Sequence, residues 1–346
     1  LPWNGTDDVA TGDFNGDGWK DVAVGSGEGF AVFASNAGAF TQTPWKTLDV
    51  SVRCLGVLDL GKDGKDELAV SSPGGVSFYE FSGPSPAVKV SIPQLTNVEF
   101  AISDLNSDGN PDIAAASNKL EVFLATSSSV FASAADSSFL IQPSELYSID
   151  AGDLNGDGKG EVVLAYDETI KVFAGRPLSQ TPSHQFGCPR NAKAIVSDIN
   201  GDGREDLVFS DENAGKAYAH YQALNGTLDS TVSKTINFSS LASGEIWLSS
   251  GDFNGDGYDD VLATGKLNTV YIHLQSDISP SQSADFPAGA RFESNSPYSL
   301  NLASYLSDDH PGSTYGITYQ EDRGKILATL QPDGMTVRFE AVNNFT

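Results

Sequence analysis

The chain has 346 residues, with 46 Asp and Glu against 20 Lys and Arg, and a net charge of −26. That charge repels nucleic acid and anionic membrane surfaces, which argues against both as partners, and no apolar run reaches the roughly 18 residues of a membrane helix. With 39% hydrophobic and only 19% charged residues, the acidity is not that of a disordered tail.

The acid is concentrated in a repeat. The segment DFNGDGWKD from Asp13 returns as DLNSDGNPD from Asp104, DLNGDGKGE from Asp153, DINGDGRED from Asp198 and DFNGDGYDD from Asp252. A weaker copy, DLGKDGKDE, starts at Asp59. The steps between first positions are 46, 45, 49, 45 and 54 residues, so six copies of one supersecondary unit fill residues 1–277.

Around each acidic loop the pattern is the same. A short strand precedes it, as at Asp8 to Thr11, Val52 to Leu58 and Ala194 to Ser197. A short apolar run follows at once: Val22 to Val24, Leu68 to Val70, Ile113 to Ala115, Val162 to Leu164, Leu207 to Phe209 and Val261 to Ala263. Such runs bounded by Gly and Asp predict buried strands. An alternating strand comes next, as at Phe30 to Phe33 or Ile170 to Phe173, and a more polar fourth segment, Thr41 to Thr47 in the first unit, leads to the next copy. No stretch keeps a helical period. Four short strands per unit of about 45 residues predict an all-β fold, a six- or seven-bladed β-propeller of four-stranded blades. Leu1 to Asn4 is one candidate for the strand that closes the last blade, and residues 282–289 are the rival.

The loop itself carries chemistry. D-x-N-x-D-G-x-x-D sets side-chain oxygens at positions 1, 3 and 5, a backbone carbonyl at 7 and a carboxylate at 9, with Gly at 6 for the sharp turn. Oxygen-only ligands in a flexible loop suit Ca²⁺ better than Mg²⁺, which demands stricter octahedral geometry. The ligand sets are Asp13, Asn15, Asp17, Trp19 (carbonyl) and Asp21; Asp104, Asn106, Asp108, Asn110 (carbonyl) and Asp112; and Asp153, Asn155, Asp157, Lys159 (carbonyl) and Glu161. The fifth is Asp198, Asn200, Asp202, Arg204 (carbonyl) and Asp206, and the sixth Asp252, Asn254, Asp256, Tyr258 (carbonyl) and Asp260. In the second loop Gly61 cannot ligate, which leaves Asp59, Asp63 and Glu67 for a weak ion or none. A turn alone would not require the acid at position 9. Five Ca²⁺ ions would cut the net charge from −26 to −16. Position 8 carries no ligand in this scheme, and each loop is self-contained within its blade.

These copies resemble FG-GAP/VCBS repeats, the blades of integrin α-subunit propellers and of many secreted microbial proteins. The resemblance implies that the loop joins the first and second strands of a blade and binds Ca²⁺ on one face of the disc. It leaves function open among adhesion receptors, lectins and polysaccharide-lyase scaffolds.

Residues 278–289 form a Ser/Pro/Gln/Ala linker to a different module at 290–346. Alternation over Ser299 to Asp309, Thr314 to Gln320, Ile326 to Leu330 and Thr336 to Glu340, with a Gln331-Pro332-Asp333-Gly334 turn between the last two, predicts a small β-sandwich, similar to the cadherin-like, immunoglobulin-like modules of microbial surface proteins. The sandwich is expected to be incomplete, with Thr336 to Val342 beside a gap or paired with another copy as a homopolymer contact.

No catalytic constellation is evident: His184, His220, His273 and His310 are scattered, and no G-x-S-x-G, H-E-x-x-H or phosphate loop occurs. A lyase site assembled across several blades would leave no such motif. His220 and His273 are expected to be structural. Cys54 and Cys188 sit in distant units and are expected to be buried free thiols. Asn4, Asn225, Asn237 and Asn344 begin formal glycosylation sequons. The reading is a calcium-stabilised, secreted or cell-surface module that binds an extracellular protein or glycan. The alternative is a carbohydrate-active lectin or lyase in which Trp3, Trp19, Trp45 or Trp247 stacks on sugars.

Overall fold

The computed structural model describes residues 8–238 apart from 37–38, 42, 128–129, 142 and 144, together with 246–251, 259–265, 269–273, 281–282, 298–301, 306–307, 326–330 and 336–341. Each repeat is an antiparallel sheet in chain order. Repeat four is representative: Leu146–Gly152, Glu161–Tyr166, Thr169–Phe173 and His184–Gly187 lie side by side. The second strands are buried along nearly their whole length, including Glu67–Ser72, Asp112–Ala116 and Glu161–Tyr166. A strand buried on both faces needs cover from two sides, and here the neighbouring sheets supply it.

The first strands of consecutive repeats pack on one another, from Asp8–Gly12 through Cys54–Leu58, Glu99–Ser103, Leu146–Gly152 and Ala194–Ser197 to Ile246–Gly251. Apolar clusters fill the spaces between successive sheets. Phe14, Phe30 and Leu68 join repeats one and two, Phe78 and Phe100 join two and three, and Leu120 and Leu164 join three and four. Val172 and Phe209 join four and five, and Ile236 and Val261 join five and six. This is propeller packing, with the core distributed between blades.

The expected blade count is corrected. The described residues form five four-stranded blades, rather than six or seven, and the sixth repeat is a three-stranded sheet of Ile246–Gly251, Asp260–Gly265 and Thr269–His273. The first blade takes its fourth strand, Lys46–Leu48, from its own repeat. Of the two expected closing segments, Leu1 to Asn4 and residues 283–289 lie outside the described residues, and Gln282, the described residue of the second, pairs with Leu306.

In the C-terminal module most of residues 290–346, on which the expected sandwich depends, lie outside the described residues, and the described strands are the short Leu306–Ser307 and a three-stranded sheet. Thr336–Ala341 lies at its centre, paired with Tyr298–Asn301 on one side and Ile326–Leu330 on the other. The strand expected at an open edge is therefore an inner strand, because the hairpin leaves its far side free for Tyr298–Asn301.

Candidate metal-binding loops

Every acidic loop joins the first and second strands of its blade, so the described loops share one end of the sheets. Position 2 is apolar in each copy, and Phe14, Leu60, Leu105, Leu154 and Ile199 are buried plugs that pin the loop to the core. Position 6 is Gly with positive φ where described, as at Gly18 (87°) and Gly158 (81°). Position 4 is also left-handed, even where Lys62 or Ser107 stands there.

Within the first loop the Asp13 carboxylate accepts the N–H groups of Gly16 (2.7 Å), Asp17 (3.1 Å) and Gly18 (2.8 Å). Asn15 Oδ1 accepts the Asp17 N–H at 2.8 Å, and Asp17 Oδ1 accepts that of Trp19 at 2.9 Å. The loops of Asp104, Asp153 and Asp198 repeat the pattern: Gly109, Gly158 and Gly203 donate to the first Asp at 2.7–2.8 Å. The ladder brings positions 1, 3 and 5 onto the same turn. Among the described residues, no three His, Cys, Asp or Glu side chains are drawn together as a metal cluster. The loop oxygens turn to backbone N–H groups instead.

The acids at position 9, Asp21, Glu67, Asp112, Glu161, Asp206 and Asp260, are all buried at the start of their second strands. Asp21 accepts the N–H of Phe14 (3.2 Å) and of Ser35 (2.8 Å), tying the loop to the end of the third strand. Asp112 does the same with Leu105 (3.0 Å) and Ala125 (2.7 Å). Glu161 accepts from Leu154 (3.0 Å) and from Asn155 Nδ2 (2.7 Å). Asp206 accepts from Gln222 (2.9 Å), and its Oδ2 is buried without a hydrogen-bond partner. Burial, assisted by the other loop carboxylates, raises these acids: Asp112 to about 6, Glu161 to about 7 and Asp206 to about 8, with Asp21 shifted the same way.

This donor set fits a hard cation. It is oxygen-only, it is crowded with carboxylates whose charge is disfavoured as they stand, and one oxygen is orphaned. The fit holds for the loops from Asp13, Asp104, Asp153 and Asp198. In the fifth loop Arg204 Nη2 pairs with Asp202 Oδ2, so an ion there competes with a guanidinium. Asp252, Asn254, Asp256 and Tyr258 lie outside the described residues. The second loop does not fit.

The loops are not self-contained within their blades, contrary to expectation: residues at position 8 reach the preceding repeat. Asp66 Oδ2 accepts the N–H of Asp13 in the preceding loop at 2.7 Å, and Asp66 N–H donates to the Asp13 carbonyl at 3.0 Å. Glu205 accepts the N–H of Asp153, and Asp259 accepts the hydroxyl of Ser197 at 2.6 Å. Gly160 N–H donates to the Asp104 carbonyl at 3.3 Å, and Lys62 Nζ donates to the Gly109 carbonyl. Neighbouring loops are therefore joined from the first repeat to the sixth.

Beside the fourth and fifth loops lies a polar cavity of about 740 Å³ lined by Asp104, Asp153, Glu205, Gln222 and Asn225. Gln222 is buried, donates to the Asp153 carbonyl at 2.6 Å and leaves Oε1 unpaired. Leu224, at its rim, is 89% exposed. At the other end of the sheets, Lys193 Nζ lies 4.0 Å from the ring centroid of half-exposed Trp247 and donates to the Tyr147 carbonyl at 2.6 Å. Trp45 packs on Phe81, Trp19 is exposed in the first loop, and Trp3 lies outside the described residues. His220 is buried between Phe186 and Phe209, with Nδ1 2.7 Å from the Asp229 carbonyl, the structural role expected of it.

Fold and loops together define a repeat β-propeller. The chain belongs to the FG-GAP-like repeat family, whose model matches residues 13–70, 104–164 and 198–297, more than half of the sequence. No curated protein sequence matches it significantly. Among solved structures it is similar to a lectin from Agrocybe aegerita described as recognising non-reducing terminal N-acetylglucosamine, at 16% identity and a TM-score of 0.51 over 75% of each chain. It is also similar to BBS1N in complex with ARL6DN, at 12% identity and a TM-score of 0.52 over 80% of this chain and 81% of that one. At these identities the likeness is one of fold.

Proposed function

We propose that the protein is a calcium-stabilised extracellular binding module, secreted or displayed at a cell surface, which presents its blade ends to a protein or glycan. The observation that carries this reading is the buried acid at position 9 of every repeat. At Asp21, Asp112, Glu161 and Asp206 it stands behind a turn of oxygen ligands, in a setting that disfavours its charge until a cation arrives. Ca²⁺ would be held by the oxygens of positions 1, 3, 5, 7 and 9, and would supply the positive charge that these acids lack. It is a structural ion here, with no part in a reaction. An ion that binds only the folded chain stabilises it by about 2.7 kcal/mol per site at a concentration 100 times Kd. Melting curves in calcium and in excess chelator test the reading: a large fall in Tm on chelation is expected, and superimposable curves would refute it.

A glycan as the ligand is favoured by the polar cavity between the fourth and fifth loops, where amides, carboxylates and an exposed Leu224 offer both hydroxyl partners and an apolar contact. The fold likeness to a lectin supports the same reading. A glycan array probed with the calcium-loaded chain separates a glycan ligand from a protein one, and an unsaturated-uronide assay tests lyase activity.

A further inference from the structure

The second loop differs from the others in what fills it. Asp59 still accepts the N–H groups of Asp63 (3.0 Å) and Gly64 (2.8 Å), so the turn is the same. At position 3, however, Gly61 provides no oxygen ligand. A Cβ placed on Gly61 would stand 3.0 Å from Lys89 Nζ and 3.3 Å from Asp63 Oδ2. The Lys89 ammonium donates to Glu67 Oε1, the position-9 acid, at 2.6 Å, and only 21% of the lysine side chain and 3% of the glutamate side chain are exposed.

Lys89 reaches this place through an irregularity in its strand. Ala87–Ile92 pairs with Gly75–Glu80, and the register jumps from Val88↔Tyr79 to Val90↔Phe78, leaving Lys89 as the extra residue of a bulge. A bulge re-aims the side chain it carries. We propose that the Lys89 ammonium is the resident cation of the second loop, which consequently takes no metal ion. This rests on the calcium reading of the other loops. An ammonium brings three donors and one charge, enough to satisfy Glu67 beside Asp63. A divalent ion asks for six to eight oxygens, which Asp59, Asp63 and Glu67 without a position-3 ligand do not assemble. The glycine at position 3 and the bulge in the outer strand thus have one cause: both make room for the same amine.

Ion counting by native mass spectrometry in calcium tests this. Asp63→Ala should leave the number of bound ions unchanged, Asp157→Ala should lower it by one, and the double variant Gly61→Asn/Lys89→Ala should raise it by one. Loss of an ion in Asp63→Ala, or no gain in the double variant while the other loops load, overturns the proposal. If wild type binds no ion at all, the calcium reading falls, and Lys89 is judged by melting in chelator. There Lys89→Met and Glu67→Gln should each lower Tm by about 2–4 °C, and the two together by no more than either alone. Additive losses, or none, reject the assignment.

Discussion

Asp66 and Asp13, 53 residues apart, hold each other by two hydrogen bonds: the Asp66 carboxylate accepts the Asp13 N–H at 2.7 Å, and the Asp66 N–H donates to the Asp13 carbonyl at 3.0 Å. The first is charge-assisted and the stronger of the two. It fixes the backbone from which the first ligand of the first loop projects. The same carboxylate also accepts from Lys20 Nζ at 2.9 Å, but that lysine is largely exposed and adds little.

The clasp predicts that Asp66→Ala weakens ion binding in a loop it does not belong to. Trp19 occupies position 7 of that loop and is exposed, so it is placed to sensitise terbium bound there. Losing a charge-assisted bond worth about 1.5–3 kcal/mol should weaken the Trp19-sensitised terbium signal roughly tenfold or more in apparent affinity. Trp19→Phe identifies the signal by abolishing it. An unchanged titration in Asp66→Ala would show that the first loop is self-sufficient.

Much of this fold can be read in the chain because a nine-residue motif repeats and the short apolar runs after it fall at one offset. The second strands, such as Val162 to Leu164 within Glu161–Tyr166, lie where those runs place them. The plug at position 2 is equally legible, as Phe, Leu or Ile in all six copies. Position 8 was not legible. It is Lys, Asp, Pro, Gly, Glu and Asp in turn, and only the stacking of blades shows that three of these acids face the preceding repeat. Nor could Lys89 be found from spacing, since its role depends on a bulge that brings an outer strand to a loop 22 residues earlier.

Asp150 links the inner strands of blades four and five. Its carboxylate accepts the N–H of Val196 at 2.7 Å across the interface and that of Ala151 at 2.9 Å. Burial, with the nearby Glu205 carboxylate adding to it, pushes Asp150 up to about 6. An unfolded Asp titrates near 3.9. Between those values the folded state holds the extra proton, so this group's contribution is complete below about pH 4 and is lost as pH rises through 6. Asp150→Asn removes that slope. Relative to wild type, its Tm should rise by a few degrees from pH 4 to 7 in saturating calcium, and parallel Tm–pH curves for the two proteins would refute the assignment.

Cys54 and Cys188 are both free and buried, as expected from their separation in the chain. Burial raises both thiols, Cys188 to about 12, and nearby acids push the same way. Since the thiolate is the reactive form, neither should label at neutral pH without opening of the blade interface around it. Labelling of the native chain should be at least ~100-fold slower than of the denatured chain, which yields both thiols. Cys54 belongs to the cluster between blades two and three and Cys188 to that between four and five, so their separate rates report two different interfaces. A fast-reacting thiol in the native protein would contradict the packing.

The turn that walls the polar cavity depends on one glycine. Gly226 has φ of 76°, and a Cβ there would run into the carbonyl oxygen of Asn155, the position-3 residue of the fourth loop. Backbone cannot yield as a flexible side chain can, so Gly226→Ala must displace either the turn or the loop. Two other glycines separate the contributions. At Gly187 a Cβ meets nothing and no left-handed φ is needed, so Gly187→Ala should change stability by less than about 0.5 kcal/mol. At Gly64 φ is 82° and the space is open, so Gly64→Ala isolates the backbone cost of about 1–2 kcal/mol. Gly226→Ala should exceed Gly64→Ala by at least a further ~1 kcal/mol in denaturant unfolding, because it adds the collision to the strain. It should also weaken binding of an ion in the fourth loop, which Gly64→Ala leaves alone. Equal losses for the two variants would mean that the turn moves away from Asn155 freely, and that the cavity wall is not held by this contact.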